Sequence, residues 1–63
     1  MKRKELIKKI TSSGCELVRH GGHHDLYRNP KTGKKQPVPR HDEIDERLAK
    51  HIIKELAEME EGT

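Results

Sequence analysis

The sequence contains neither phenylalanine nor tryptophan, and it has one tyrosine and one cysteine in 63 residues. A chain of this length buries only about 60% of its unfolded surface, and 29% hydrophobic residues can build only a thin, mostly aliphatic core. One cysteine excludes an intrachain disulfide. We therefore expect a single small domain over residues 1–63, of marginal stability, that a partner can help to complete.

Long hydrophobic runs are also missing. No apolar run approaches the roughly 18 residues of a membrane span. The start of the chain, where Lys2, Arg3 and Lys4 precede scattered apolar residues, lacks the apolar core of a signal peptide. These absences predict a protein of the reducing cytoplasm that has no membrane partner.

Charge is plentiful but unevenly distributed along the chain. Residues 1–40 hold eleven Lys and Arg against three acidic residues, a net charge of +8, whereas residues 41–63 hold three against eight, a net charge of −5. A basic segment of this kind favours a polyanionic partner such as nucleic acid. From charge alone, lysines that only solvate a small surface explain the composition equally well.

Two segments have the periodicity of amphipathic helices. In residues 3–13, Leu6, Ile7 and Ile10 form a narrow apolar stripe, and Gly14 is placed to end the helix in a left-handed conformation. The C-terminal segment has a broader apolar face, made of Ile44, Leu48, Ala49, Ile52, Ile53, Leu56 and Met59. Asp45 can cap the start of this helix, and Asp42 is an equally acceptable cap.

The segments between the helices predict three antiparallel strands, at residues 15–20, about 24–28 and 35–39. The pair Gly21-Gly22 predicts a tight turn with positive φ angles, and residues 29–33 predict a second turn. Pro37 and Pro39 cannot donate ladder hydrogen bonds, so the third strand should lie at an edge. This order predicts an α+β fold with both helices on one face of the sheet and an open, basic face for binding.

Residues 19–30, RHGGHHDLYRNP, concentrate three of the five histidines and the only aromatic residue. Glycines beside a histidine let a substrate approach closely, and an imidazole can accept and return a proton near neutral pH. No serine, cysteine or carboxylate is spaced for a triad, so a lone histidine would need a substrate that brings its own nucleophile. RNA is such a substrate, because its 2′-hydroxyl lies next to the scissile phosphate, which basic residues would hold.

A metal site is the competing interpretation of the same segment, since Cys15, His20, His23 and His24 lie close together in sequence. A structural zinc site needs four ligands at recognisable spacing. This sequence has neither a CxxC pair nor a distal ligand pair, so we predict no metal and no cofactor.

Taken together, the motifs resemble the HicA toxins of bacterial HicAB toxin-antitoxin modules. The matching segments are the helix ending in Ser13-Gly14, Leu17-Val18-Arg19, Gly22 to Tyr27, and Val38-Pro39-Arg40-His41. The resemblance implies a double-stranded-RNA-binding-domain-like α-β-β-β-α fold and a metal-independent endoribonuclease that cleaves mRNA and inhibits translation and growth. It also implies neutralisation by a HicB-type antitoxin protein and no DNA binding by this chain alone.

The family pattern consists of a glycine, a small or polar residue, a histidine, two further residues and an aromatic residue. This pattern implies that His24, three residues before Tyr27, is the catalytic histidine. The motif glycines that precede it are Gly21 and Gly22. The adjacent His23 is interpreted as a flanking phosphate or partner contact. The candidate RNA phosphate contacts are His23, Arg28, Lys34, Lys35 and Arg40. The alternative interpretation of any one of them is an ordinary solvated charge with no contact to RNA.

The remaining side chains of interest receive ordinary interpretations. Tyr27 is predicted to be a core residue in preference to a base-stacking platform, and Cys15 a small apolar residue. No function is predicted for His20, His41 and His51. The alternative function is a non-catalytic RNA-binding module of the same fold, which reads A-form shape and phosphates and does not need the glycine-histidine motif.

Overall fold

The computed structural model describes residues 1–57. Along the chain, these residues form α1 (Arg3–Ser12), β1 (Glu16–His20), β2 (His24–Arg28), β3 (Lys35–Pro39) and α2 (Glu46–Leu56). The strands form one antiparallel sheet in the order β1-β2-β3. The predicted α-β-β-β-α fold is therefore confirmed, and β3 lies at an edge as its two prolines require. The first helix ends one residue earlier than predicted, and the first strand begins one residue later.

A glycine ends α1 as predicted. Gly14 has a φ of 99°, and the amides of Gly14 and Cys15 donate to the carbonyls of Thr11 and Ile10 at 3.0 and 3.1 Å. These two bonds form a Schellman motif, which satisfies carbonyls that the last turn of a helix leaves without partners. The motif turns the chain towards β1 and places Cys15 in the core.

Asp45 rather than Asp42 caps α2. Its carboxylate accepts hydrogen bonds from the amides of Arg47 and Leu48 at 3.2 and 3.4 Å, while the Asp42 carbonyl accepts from the amide of Arg3. The prediction that Leu48 belongs to the apolar face is wrong, because this residue is 38% exposed. Met59 lies outside the described residues.

The core is small and aliphatic, as the composition requires. It joins side chains from both helices and from β2 and β3: Leu6, Ile10, Cys15, Tyr27, Val38, Ile44, Ala49, Ile52 and Leu56, with Ile7 and Ile53 packed at its margin. Tyr27 is buried within this cluster, which confirms its predicted core position. All five residues of β1 are exposed, so this edge strand adds little to the core.

Asn29 fixes the turn between β2 and β3. Its buried side chain donates to the carbonyl of Leu56 at 2.6 Å and accepts from the amide of Lys31 at 2.9 Å. Gly33 ends the turn with a φ of 80°, as predicted. The first contact ties the turn to the C-terminal end of α2, where a carbonyl would otherwise lack an intrahelical partner.

The first hairpin is closed differently from the prediction. Neither Gly21 nor Gly22 has a φ in the left-handed region, so the expectation of positive φ angles at this pair is wrong. The amide of Gly21 instead donates to the carbonyl of His24 at 2.7 Å. Glycine is required at position 21 because a Cβ atom there would lie 2.7 Å from the same carbonyl oxygen.

Candidate active site at the loop end of the first hairpin

The predicted catalytic segment lies at one end of the sheet. β1 ends at His20, β2 begins at His24, and Gly21, Gly22 and His23 connect them. His20, His23 and His24 are all exposed. The structure thus brings the three histidines of the segment to a single loop and its two flanking strand ends, which we call the hairpin mouth.

Strand register shows which face of the sheet His24 occupies, a question that the mixed sequence of β2 leaves open. Asp25 is paired with Val38, and Tyr27 with Leu17. Because Tyr27 and Val38 are core residues, this set faces the helices. Strand alternation then puts His24, Leu26 and Arg28 on the opposite, helix-free face.

Asp25 is the most highly connected side chain at the hairpin mouth. It is only 6% exposed, and its carboxylate binds three cationic or potentially cationic groups. Arg3 Nη2 lies 2.8 Å from Oδ2, while Arg40 Nη2 and His20 Nδ1 lie 2.8 and 2.9 Å from Oδ1. The hydrogen bonds from His20 and then from Arg40 lower the pKa of Asp25 to about 2. Asp25 is therefore an ionised acceptor throughout the physiological pH range.

Both arginines that hold Asp25 also bind backbone carbonyls. Arg3 Nε donates to Pro39 at 2.7 Å, and Arg40 Nη2 donates to Gly21 at 2.7 Å. A guanidinium group can make such contacts together because its donors are arranged in a rigid fork. The cluster of Arg3, His20, Asp25 and Arg40 consequently joins α1, the ends of β1 and β3, and the glycine loop.

The structure does not gather the predicted phosphate contacts around His24. Arg28 and Lys35 are paired in register at the other end of the sheet, roughly 13 Å along the strand from His24 at the usual rise per residue. Arg28 is 3.4 Å from Glu16, and Lys34 Nζ is 3.6 Å from Glu55. Only Arg40 and His23 lie at the hairpin mouth, and these assignments remain predictions.

Sequence reasoning missed the roles of Asp25, Arg3 and His20. A usable signal exists in the strand pattern, because Asp25 is two residues before the core residue Tyr27 and must share its face. A carboxylate on a buried face requires cationic or hydrogen-bonding partners. What the pattern cannot reveal is which of the many basic residues of the chain provide them.

Cys15 and the histidines of this segment do not form a metal site in the described part of the chain. Within residues 1–57, no group of three or more His, Cys, Asp or Glu side chains is arranged to hold a metal ion. Cys15 is buried, which raises the pKa of its thiol, and its Sγ lies 3.5 Å from the Leu56 carbonyl. This cysteine therefore belongs to the core and not to the hairpin mouth.

A family model described as "HicA toxin of bacterial toxin-antitoxin" matches residues 3–57 of the chain. The chain belongs to the HicA toxin family. No curated protein and no solved structure matches it significantly. Membership of the HicA family assigns the chain a toxin role in a toxin-antitoxin pair and implies a cognate antitoxin. None of the helices in residues 1–57 is long and apolar enough to span a membrane.

Proposed function

We propose that this HicA-family protein is a metal-independent endoribonuclease that cleaves mRNA in the cytoplasm, with His24 as a catalytic residue. The observation that carries the proposal is the position of His24. It is an exposed histidine at the first residue of β2, beside a glycine loop, in a chain whose family consists of toxins.

The chemistry requires little beyond a positioned imidazole, because RNA carries its own nucleophile. His24 accepts the proton of the 2′-hydroxyl as its oxygen attacks the adjacent phosphorus. Gly21 and Gly22 have no side chains that would obstruct the approaching phosphate. Arg28 and Lys35, on the same face as His24 by register, would contact phosphates further along the strand.

The cognate antitoxin is proposed to be a HicB-type protein that neutralises the toxin by covering the hairpin mouth. Because His24 lies on the helix-free face of the sheet, a partner can cover it without displacing either helix. The edge strand β1, which ends at this loop, adds exposed apolar side chains for a partner in Leu17 and Val18, at 41% and 45% exposure.

The decisive experiment measures cleavage of a single-stranded RNA by the purified chain, with and without EDTA. We expect cleavage to persist in EDTA and to be abolished by His24→Ala. Circular dichroism should show that this variant keeps its fold. His51→Ala is the matched control, because His51 is also exposed but lies on α2. A folded His24→Ala protein with full activity would contradict the role of His24.

The same assay tests the non-catalytic alternative. An RNA-binding module of this fold would bind RNA, lose affinity when its lysines are replaced, and leave the RNA intact even at excess protein. Binding without cleavage by the unmodified chain would replace the nuclease proposal with this alternative.

A further inference from the structure

We infer that His20 is a second catalytic histidine of the hairpin mouth, the general acid that protonates the leaving 5′-oxygen, and that Asp25 is its positioning residue. This inference rests on the proposed ribonuclease function. It assigns a role to two side chains for which neither the sequence pattern nor the family pattern predicts one.

The contact between His20 and Asp25 fixes which ring nitrogen of His20 can exchange a proton with a substrate. Nδ1 lies 2.9 Å from the Asp25 carboxylate, and an ionised carboxylate only accepts hydrogen bonds. Nδ1 must therefore carry a hydrogen in both protonation states of the ring. Nε2 is left as the exchanging atom, and the His20 side chain is 69% exposed.

The carboxylate that orients His20 is itself held rigidly. Asp25 is buried between two arginines, and each arginine is bonded in turn to a backbone carbonyl. Leaving a charged side chain in a buried site is costly unless it is fully paired. Arg40 links the cluster directly to Gly21, the residue that follows His20, so the ring and the loop share a single support.

Cleavage through the 2′-hydroxyl requires two proton transfers on opposite sides of the phosphorus. The 2′-oxygen attacks in line with the departing 5′-oxygen, so a base is needed on one side and an acid on the other. His20 is paired in register with Asp25, on the face that carries the helices. His24 is on the opposite face, at the same end of the sheet. A scissile phosphate held at the tip of the glycine loop would then have His24 on one side and His20 on the other.

The proposed step balances in atoms and charge. The bond from the 2′-oxygen to phosphorus forms while the bond from phosphorus to the 5′-oxygen breaks. His24 takes the proton from the 2′-hydroxyl, and His20, initially an imidazolium, gives its Nε2 proton to the 5′-oxygen. The products are a 2′,3′-cyclic phosphate and a 5′-hydroxyl, and exchange with water restores both rings.

The test compares two RNA oligonucleotides that differ at one atom of the scissile linkage. One is ordinary, and in the other a sulfur atom replaces the 5′-bridging oxygen. A thiolate leaves without being protonated because thiols are far more acidic than alcohols, so loss of a general acid slows cleavage of the ordinary linkage alone. The variants are His20→Gln, His24→Gln and, as a control on α2, His51→Gln.

We expect His20→Gln to cleave ordinary RNA at least about 100-fold more slowly, a typical loss for one acid-base group, and to cleave the sulfur-substituted RNA at nearly the unmodified rate. His24→Gln should be slow on both substrates. Asp25→Asn should show the same rescue by sulfur as His20→Gln, although to a smaller degree. A purely structural effect would slow both substrates equally.

The inference is overturned if His20→Gln cleaves ordinary RNA at the unmodified rate, or if sulfur fails to rescue it. Rescue of His24→Gln in place of His20→Gln would likewise remove the assignment of His20 as the acid. In each of these cases the proposed ribonuclease function still stands. Only failure of the unmodified chain to cleave either RNA would contradict that function.

Discussion

The amide of Gly21 donates a 2.7 Å hydrogen bond to the carbonyl oxygen of His24, and a Cβ atom at position 21 would lie 2.7 Å from that same oxygen. Real Cβ atoms essentially never approach a backbone oxygen so closely. The neighbouring Gly22 has no such restriction, because a Cβ atom there would have no other atom within 4 Å. The two glycines of the motif are thus unequal in a way that can be measured.

Gly21→Ala is expected to reduce both stability and RNA cleavage, because the added methyl group must push the first residue of β2 away from its position. The expected loss of stability is about 1–3 kcal/mol, typical of overpacking, and the displaced His24 should cleave RNA at least tenfold more slowly. Thermal unfolding and initial cleavage rates provide the measurements. Gly22→Ala is the matched control and should stay close to the unmodified protein in both. Equal effects at the two positions would contradict the close approach at Gly21.

The fold could be predicted from the sequence because each element has a local signal. Gly14 and Gly33 occupy positive φ angles where the turn chemistry requires glycine, and Asp45 caps α2 through its own side chain. The two prolines of β3 exclude it from the centre of the sheet. Signals of this kind act over a few residues and can be recognised without knowledge of tertiary contacts.

The arrangement of the candidate site could be predicted only in part. The glycine-histidine spacing of the family pattern selects His24 as a candidate, whose role stays a prediction. The partners of Asp25 have no such local signal, because they lie 22, 5 and 15 residues away in sequence. Such pairings depend on how α1 and the end of β3 pack against the hairpin. The prediction of positive φ angles at Gly21 and Gly22 failed for a related reason. The loop is closed by the hydrogen bond from Gly21 to His24, and the glycines do not adopt the positive φ angles that are usual in a two-glycine turn.

The buried carboxylate predicts a specific loss of stability in acid. Asp25 has a pKa of about 2 in the folded protein and about 3.9 in an unfolded chain. Its depressed pKa contributes stability above about pH 4, and this contribution is lost as the pH falls toward 2. Below that pH the groups facing Asp25, namely Arg3, Arg40 and a protonated His20, are left without their counter-charge.

The measurement is the free energy of unfolding in urea at several pH values between 2 and 5. Asp25→Asn should be less stable than the unmodified chain at pH 7 and should lose less stability across this range, because it lacks the titrating group. Glu16→Gln serves as the control, since Glu16 forms an exposed pair with Arg28 and should leave the acid profile nearly unchanged. An Asp25→Asn profile parallel to that of the unmodified chain would count against the depressed pKa.

Asn29 provides a stability test that is separate from the site. Asn29→Ala removes the 2.6 Å hydrogen bond to Leu56. Within residues 1–57, the carbonyl of Leu56 is then left with only the weak contact from the Cys15 thiol. The expected loss is about 1–3 kcal/mol, the cost of a buried polar group without a partner. In a domain of this size, each kcal/mol lowers Tm by about 4–8 °C.

Thr32→Ala is the matched control for Asn29→Ala, because Thr32 lies in the same turn and makes an exposed hydrogen bond to the amide of Lys34. Its effect should stay within about 0.5 kcal/mol. RNA cleavage measured well below Tm should be unchanged in both variants, since neither residue lies at the hairpin mouth. A Tm for Asn29→Ala equal to that of Thr32→Ala would show that the contact with Leu56 adds no stability.

Arg40 and Lys35 are both predicted phosphate contacts, yet their surroundings predict different effects of substitution. Arg40 bridges Asp25 and the Gly21 carbonyl, whereas Lys35 is exposed on the helix-free face of β3. Arg40→Lys keeps the charge but cannot reproduce both contacts. If Arg40 acts mainly as a support for the loop, this variant should bind RNA normally and cleave the bound RNA at least tenfold more slowly.

Lys35→Ala should show the opposite pattern, with weaker binding and an unchanged rate for bound RNA. Removing one phosphate contact should reduce the slope of log affinity against log salt concentration by about 0.7 for a single strand. Binding is measured by fluorescence anisotropy with a 2′-O-methyl RNA, which lacks the nucleophile and stays intact, and cleavage is measured in single turnover. If Arg40→Lys retains full cleavage, a simple charge at position 40 suffices, and Arg40 is then a phosphate contact as the sequence predicts.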